Sequence, residues 1–274
     1  MSLTFRLKGN FDSLEPEAAL LWEAGCQGIV EEGDELVAYF AEHIELPLPG
    51  HWQEREDQDW IAAYYAALQP IVLEKLIIAP SHIDSAALSP TPEQRLLRLD
   101  PGMAFGSGHH ATTYLALQAL EHLDLSGKRV LDVGAGSGIL AIAADALGAA
   151  QAQGCDIDPQ TLRVAQENAQ HNASKAEFRL GSLDADSPAH SADILLANLY
   201  AELHVQLAPH YAQVLPSGGL LLATGILAER LPMVTEALEP FFSMEAISHI
   251  DSTAPQTIGS DRDDVWRLIR ARRY

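Results

Sequence analysis

Hydrophobic and polar positions along the chain fall into three regimes. Near the start, Leu3, Phe5 and Leu7 alternate with polar neighbours, the period of a half-buried strand. Ser13 is placed to cap a helix running to about Ala24, with Glu15 and Glu17 favourable in its first turn. Gly28-Ile29-Val30-Glu31 and Leu36-Val37-Ala38-Tyr39-Phe40 flank Glu32-Gly33-Asp34-Glu35, a hairpin pattern. Strand, helix, strand, strand is part of a ferredoxin-like arrangement, and Pro47, Pro49 and Gly50 end it. Residues 51–68 read as a connector. Its short helix from Asp59 to Leu68 carries Trp60, Tyr64 and Tyr65, aromatics suited to interdomain packing, and Gln69-Pro70 stops it.

The third regime begins with a strand at Leu76-Ile77-Ile78-Ala79 and a loop from Pro80 to Pro92. From residue 111 helical and strand periods alternate. Helices are predicted over 111–123, 138–147, 159–171, 200–214 and 228–239. Strands are predicted over 129–133, 151–155, 176–180, 193–197, 219–224, 242–250 and 264–271. Repeated crossover helices imply an α/β domain whose mostly parallel sheet is covered on both faces, with the last strand antiparallel.

At 274 residues the chain is long enough for one large domain plus a small one. No apolar run reaches the length of a membrane span, and the N-terminus lacks the basic region and apolar core of a signal peptide. Cys26 and Cys155 lack metal-ligand spacing and read as small buried residues of a reducing compartment, so a cytoplasmic location is expected. The formal net charge of −21 argues against nucleic-acid binding, which needs Lys and Arg on phosphates. The acidity is concentrated: the first 60 residues hold only Arg6, Lys8 and Arg55 as basic residues, a distribution that favours a basic partner.

The densest chemical signal is Val130-Leu131-Asp132-Val133-Gly134-Ala135-Gly136-Ser137-Gly138, a strand entering a glycine turn before a helix. That turn presents backbone N–H groups to a ligand. Downstream, Gly154-Cys155-Asp156-Ile157-Asp158-Pro159 puts Asp156 at the end of the next strand, placed to bind ribose hydroxyls. The spacing is G-x-G-x-G, and Ile139 stands where a dinucleotide fingerprint has its third glycine. Asp132, two positions before the first glycine, suits a ligand carrying an ammonium better than a pyrophosphate. The pattern resembles motif I of the seven-strand S-adenosylmethionine-dependent methyltransferases.

Three more segments belong at the same sheet edge. Asp100 to Thr113 sets three glycines among Phe, His and Thr, suited to a loop closing over a ligand; adjacent His109 and His110 without a patterned partner do not make a metal site. Gly181-Ser182-Leu183-Asp184 is placed for adenine contacts or is a polar turn. Ala197-Asn198-Leu199-Tyr200 ends an apolar strand: the Asn198 amide either accepts hydrogen bonds from an amine nucleophile or caps the following helix.

Taken together, GMAFGSGHHATT at 102–113, VLDVGAGSGILAIAA at 130–144, CDIDP at 155–159 and ANLYAELHVQLAP at 197–209 resemble the bacterial PrmA-type methyltransferases of large-subunit ribosomal protein eleven. The resemblance spans nearly the whole chain and includes RLKG at 6–9. Pro80-Ser81-His82 departs from it in lacking a tryptophan after the proline. It implies a seven-strand class I (Rossmann-like) methyltransferase domain at 69–274, a linker helix at 51–68 and a ferredoxin-like substrate-recognition domain at 1–50. It implies S-adenosylmethionine as donor and, as acceptors, the α-amine and lysine ε-amines of the ribosomal protein; charge, apolar-run length and histidine spacing add the expectation of no metal, membrane or nucleic-acid partner. By motif position, Thr113, Gly134, Asp156 and Asn198 look like cofactor or active-site contacts; with the reading of the loops above, the expected cofactor contacts are Phe105, Gly106, Thr113, Asp132, Gly134, Gly136, Asp156, Ser182 and Asn198, and the expected catalytic residues are Asn198 and Tyr200. Tyr200, His109 and bulk water stay open as proton acceptors. The competing readings are a methyltransferase of another protein or small amine, and a non-catalytic S-adenosylmethionine-binding adaptor of ribosome assembly.

Overall fold

The fold is that of a computed structural model. It describes residues 2–9, 13–26, 28–40, 43–55, 69–84, 88–99, 110–251 and 265–274. The chain divides into two compact units, Met1–Ala67 and Leu68–Tyr274.

In the first unit, β1 (Ser2–Lys8), α1 (Glu15–Glu23), β2 (Gly28–Glu32), β3 (Glu35–Phe40) and β4 (His51–Arg55) follow in order. The strands form an antiparallel sheet in the order β2-β3-β1-β4. Alternation sends Phe5, Leu7, Leu36, Ala38 and Phe40 to one face, where they bury with Leu21 of α1. The predicted hairpin is present, closed by Gly33-Asp34 with Glu32 opposite Glu35. Residues 51–55, expected to begin the connector, form β4 instead. Their pattern is too short and polar to read as a strand. Pairing with β1 decides it, setting Trp52 opposite Phe5, with ring centroids 5.3 Å apart. The helix expected over 59–68 lies outside the described residues.

The second unit opens with a three-stranded sheet, β5 (Ile71–Val72), β6 (Leu76–Ala79) and β7 (Arg95–Arg98). Only β6 is legible in the sequence. Asn172 fastens β7 by accepting the Arg98 N–H (2.7 Å) and donating to its carbonyl (2.6 Å), as a neighbouring strand would.

The main sheet follows through α2 (Ala111–Glu121), β8 (Arg129–Val133), α3 (Ile139–Ala146), β9 (Gln151–Asp156), α4 (Pro159–His171), β10 (Glu177–Leu180), β11 (Ile194–Asn198), α5 (Ala201–Val214), β12 (Leu220–Leu227), α6 (Leu231–Leu238), β13 (Phe242–Asp251) and β14 (Val265–Arg273). A 3-10 turn at Ala228–Arg230 replaces the start of the helix expected from 228. Strand order is β10-β9-β8-β11-β12-β14-β13; the first five are parallel, and β14 runs antiparallel to both β12 and β13. Each central strand feeds two cores. Val130, Leu196 and Leu222 pack with Leu117, Leu120 and Ile142 on one face; Leu131, Leu195 and Leu221 pack with Tyr211, Val214 and Leu238 on the other. Among the described residues, no helix is long and apolar enough to cross a membrane. Both cysteines are buried.

From β8 the chain winds outward through β9 and β10, then returns to β11 and continues the other way. The order therefore switches between β8 and β11. In open α/β sheets the crevice at that point, beyond the carboxyl ends of the strands, is where ligands bind.

Candidate active site

A cavity of about 600 Å³ lies at this switch point, within the usual range for small-molecule sites. Its walls come from the ends of β8 to β12, the starts of α2, α4 and α5, and Trp266 of β14.

The glycine loop forms one wall. Cys155 O in β9 accepts the N–H groups of Gly134 (2.9 Å) and Ala135 (3.0 Å), pinning the loop to the neighbouring strand. Gly134 has a left-handed φ of +73°, and a Cβ there would collide with Leu199 Cδ2. Gly138, at the cap of α3, serves packing: a Cβ would strike the Phe178 ring at 2.7 Å. Gly134 and Gly136 line the cavity.

Asp156 ends β9 and lines the cavity beside them. Its Oδ2 accepts the Gly136 N–H (3.0 Å) and its Oδ1 accepts the Asp158 N–H (3.0 Å). A carboxylate has about four lone-pair sites, so both oxygens keep capacity for ligand hydroxyls. Asp158 in turn caps α4 through the Gln160 N–H (2.8 Å). Ser182 lines the same end, next to Gly181, whose N–H donates to Asp156 O (2.8 Å).

Asp132 behaves differently. It alternates with Val133, which lines the cavity, and so lies behind the wall, 1% exposed. Neither carboxylate oxygen has a hydrogen-bond partner among the described residues. Burial pushes its pKa up to about 7; the N–H of Ala141, in the first turn of α3, opposes this without reaching hydrogen-bond geometry, and the Asp156 charge adds to the rise.

The opposite wall is the turn after β11. Asn198 Nδ2 donates to Thr113 Oγ1 at 3.2 Å, which leaves Oδ1 as the acceptor on a residue that lines the cavity. Asn198 is not the helix cap: Tyr200 occupies that position in α5, without a side-chain cap bond. Thr113 is buried and, among the described residues, is joined to the cavity wall through Asn198. Tyr200 stands at the rim, 74% exposed. His110 caps α2 by accepting the Thr112 N–H at Nδ1 (3.3 Å), and its ring meets Trp266 edge-on, centroids 5.1 Å apart. Phe105, Gly106 and His109 lie outside the described residues.

Sequence reasoning missed Gly225, Trp266, and the Leu203, Gln206 and Leu207 face of α5, all of which line the cavity. Gly225 carried a usable signal, because a lone glycine inside an apolar strand marks a bulge or a close backbone approach. It has φ +87° at a register shift in β12, and a Cβ there would collide with Leu199 O. Trp266 carried none; antiparallel return of β14 brings it to the cavity.

Comparison with known proteins gives a consistent set of relatives. Residues 31–253 match the family model described as ribosomal protein L11 methyltransferase (PrmA). The chain is 44% identical to the ribosomal protein L11 methyltransferase of Deinococcus radiodurans, covering 99% of each chain. It is 45% identical to that of Thermus thermophilus, covering 85% of this chain and 90% of the relative. Among solved structures, the ribosomal protein L11 methylase of Lactobacillus delbrueckii subsp. bulgaricus aligns with a TM-score of 0.60 at 32% identity, over 73% of this chain and 95% of that one.

Proposed function

The chain belongs to the ribosomal protein L11 methyltransferase (PrmA) family, and on that premise we propose that it moves methyl groups from S-adenosylmethionine to the N-terminal α-amine and lysine ε-amines of large-subunit ribosomal protein eleven. In this reading Leu68–Tyr274 is a seven-strand class I methyltransferase domain acting in the cytoplasm. The first unit, whose strand order β2-β3-β1-β4 fits a ferredoxin-like sheet, recognises the substrate. The acid-rich segment that builds this unit suits a lysine-bearing partner.

The observation that carries the reading is the pairing of a side-chain-free glycine wall with Asp156 on one side of the switch-point cavity and the Asn198 amide on the other. The residues fit the donor. Gly134 and Gly136 leave room for close approach of a ligand, Asp156 accepts ribose hydroxyls, and Ser182 borders the adenine. Asp132, behind the loop, offers negative charge toward an ammonium. When bound, S-adenosylmethionine supplies an electrophilic methyl group on a sulfonium.

The chain's own residues do the rest. Thr113 holds Asn198 Nδ2, so Oδ1 accepts an N–H of the incoming amine and turns its lone pair across the cavity. Leu199, Leu203 and Leu207 supply an apolar wall for an alkyl stem. Tyr200, on the same turn and open to water, relays the proton the amine sheds, its hydroxyl passing one to solvent as it takes one up. Positioning of this kind contributes up to about 7–11 kcal/mol in favourable cases.

Mass spectrometry of ribosomal protein eleven after incubation with enzyme and labelled donor tests the activity; an unmodified substrate refutes it. Asn198→Ala tests the site. Loss of one well-placed contact at a reacting centre lowers the single-turnover rate by about 10²–10³. A normal rate in the variant removes Asn198 from catalysis.

A further inference from the structure

Beneath the Asn198–Tyr200 turn lies a hydrogen-bonded group that the chemistry above does not use. His204, one turn into α5, is fully buried. Its Nε2 is 2.8 Å from Thr224 O, and its Nδ1 is 3.1 Å from the hydroxyl of Tyr211, which is also fully buried. The same Thr224 carbonyl accepts the N–H of Leu199 at 3.0 Å. A carbonyl oxygen has two lone pairs, and here one goes to the turn and the other to the imidazole.

The protonation pattern follows from these partners. A carbonyl only accepts, so Nε2 carries the proton, and Nδ1 accepts from the Tyr211 hydroxyl. Burial lowers the His204 pKa to about 4, although bonds with the backbone at Thr224 and Leu199 partly oppose this, so the ring stays a neutral donor at physiological pH.

The turn above is closely packed on both sides. Leu199 presses its side chain on Gly134 and its backbone on Gly225, at separations that leave no room for a Cβ at either glycine. Any shift of Thr224 O therefore moves Leu199 and, through it, the adjacent Asn198.

We propose that His204 is a positioning residue for methyl transfer, holding Thr224 O so that the Leu199 peptide and the Asn198 amide meet the acceptor amine in register. The inference rests on the reading that this turn binds the amine. It assigns His204 no contact with donor or acceptor; its effect is on geometry, and a displacement near 1 Å costs about 10²-fold in rate.

The test uses the full chain with His204→Leu, His204→Gln, His204→Asn and Asn198→Ala. It measures single-turnover methylation of ribosomal protein eleven, S-adenosylmethionine affinity by calorimetry, and thermal unfolding. Gln carries an N–H the same number of bonds from the backbone as imidazole Nε2; Asn carries it a bond short; Leu has none. His204→Leu should slow transfer by about 10- to 100-fold while donor affinity stays within about twofold, and Gln should recover most of the loss. A wild-type rate in the Leu variant, or a Gln variant no faster than Leu, overturns the role. If the Leu variant does not fold, the amide pair decides: Gln must exceed Asn by about tenfold in rate at equal donor affinity, and equal rates overturn the proposal. Asn198→Ala separates the two layers. If it reacts at the wild-type rate, the reading of the turn fails; if it is slow while His204→Leu is not, only the role of His204 fails.

Discussion

Asp132→Asn is expected to flatten the pH dependence of stability. The wild-type carboxyl is fully buried and lacks a hydrogen-bond partner among the described residues, and its pKa rises from 3.8 to about 7. A raised folded-state pKa means that the folded protein binds the proton more tightly than the unfolded chain does. The associated stability is complete below the unfolded pKa and is lost as pH climbs through about 7. A rise of this size corresponds to about 4 kcal/mol in all, and somewhat more than half of it falls between pH 5 and pH 8. Urea unfolding of both proteins at those two pH values measures the difference. The wild type should lose about 2–3 kcal/mol more than Asp132→Asn over the interval. The variant also buries an amide N–H₂ with poor partners, costing about 1–3 kcal/mol, but that offset is the same at both pH values and leaves the slope untouched. Parallel stability curves would refute the reasoning. In the proposed reading a cationic donor favours the ionised carboxylate, so wild-type donor affinity should strengthen as pH rises through about 7, while the variant's stays flat.

Two further substitutions probe the walls of the cavity. Asp156→Ala removes the charged acceptor proposed for the ribose and releases the Gly136 N–H, so calorimetry should show S-adenosylmethionine binding about 10- to 150-fold weaker, and unchanged affinity in a folded variant would exclude the assignment. Gly225→Ala forces a left-handed residue against Leu199 O; strain and overpacking together should cost about 2–4 kcal/mol in unfolding experiments and slow transfer, whereas a variant as stable as wild type would show that the turn has slack.

The parts of the site that were legible are those built from local chain features. The glycine turn after β8 follows a β-branched, aliphatic run, and Asp156 lies at the end of the next strand, so sequence spacing alone puts both on one edge. Strand alternation also held the answer for Asp132: it points to the side of Val130, away from the cavity that Val133 lines, so its charge acts from behind the loop. What stayed hidden depends on pairing between distant segments. β4, β5 and β7 are strands of two to five residues whose identity comes from their neighbours. Trp266 reaches the cavity because β14 reverses beside β12. That Asn198 is not the helix cap shows only in the fold, where Tyr200 takes that position and Asn198 Nδ2 reaches Thr113, 85 positions away in sequence.

Sheet order also divides the labour of the cavity. Asp156 ends β9 and Asn198 ends β11, with β8 between them, so the two lie about 10 Å apart at ordinary strand spacing. Asp156 and Asp158 are the carboxylates among the described lining residues, and both belong to the β9 end. The wall around Asn198 is instead Leu199, Tyr200, Leu203, Gln206, Leu207, Gly225 and Trp266, uncharged and largely apolar. A carboxylate there would stabilise an ammonium and hold the acceptor in its unreactive form. An apolar wall does the reverse, because desolvation disfavours the charged amine and lowers a lysine's pKa from its free value of about 10.4. In the proposed reaction the surroundings of Asn198 therefore favour the neutral amine, and the carboxylate chemistry is kept two strands away, where it serves the donor.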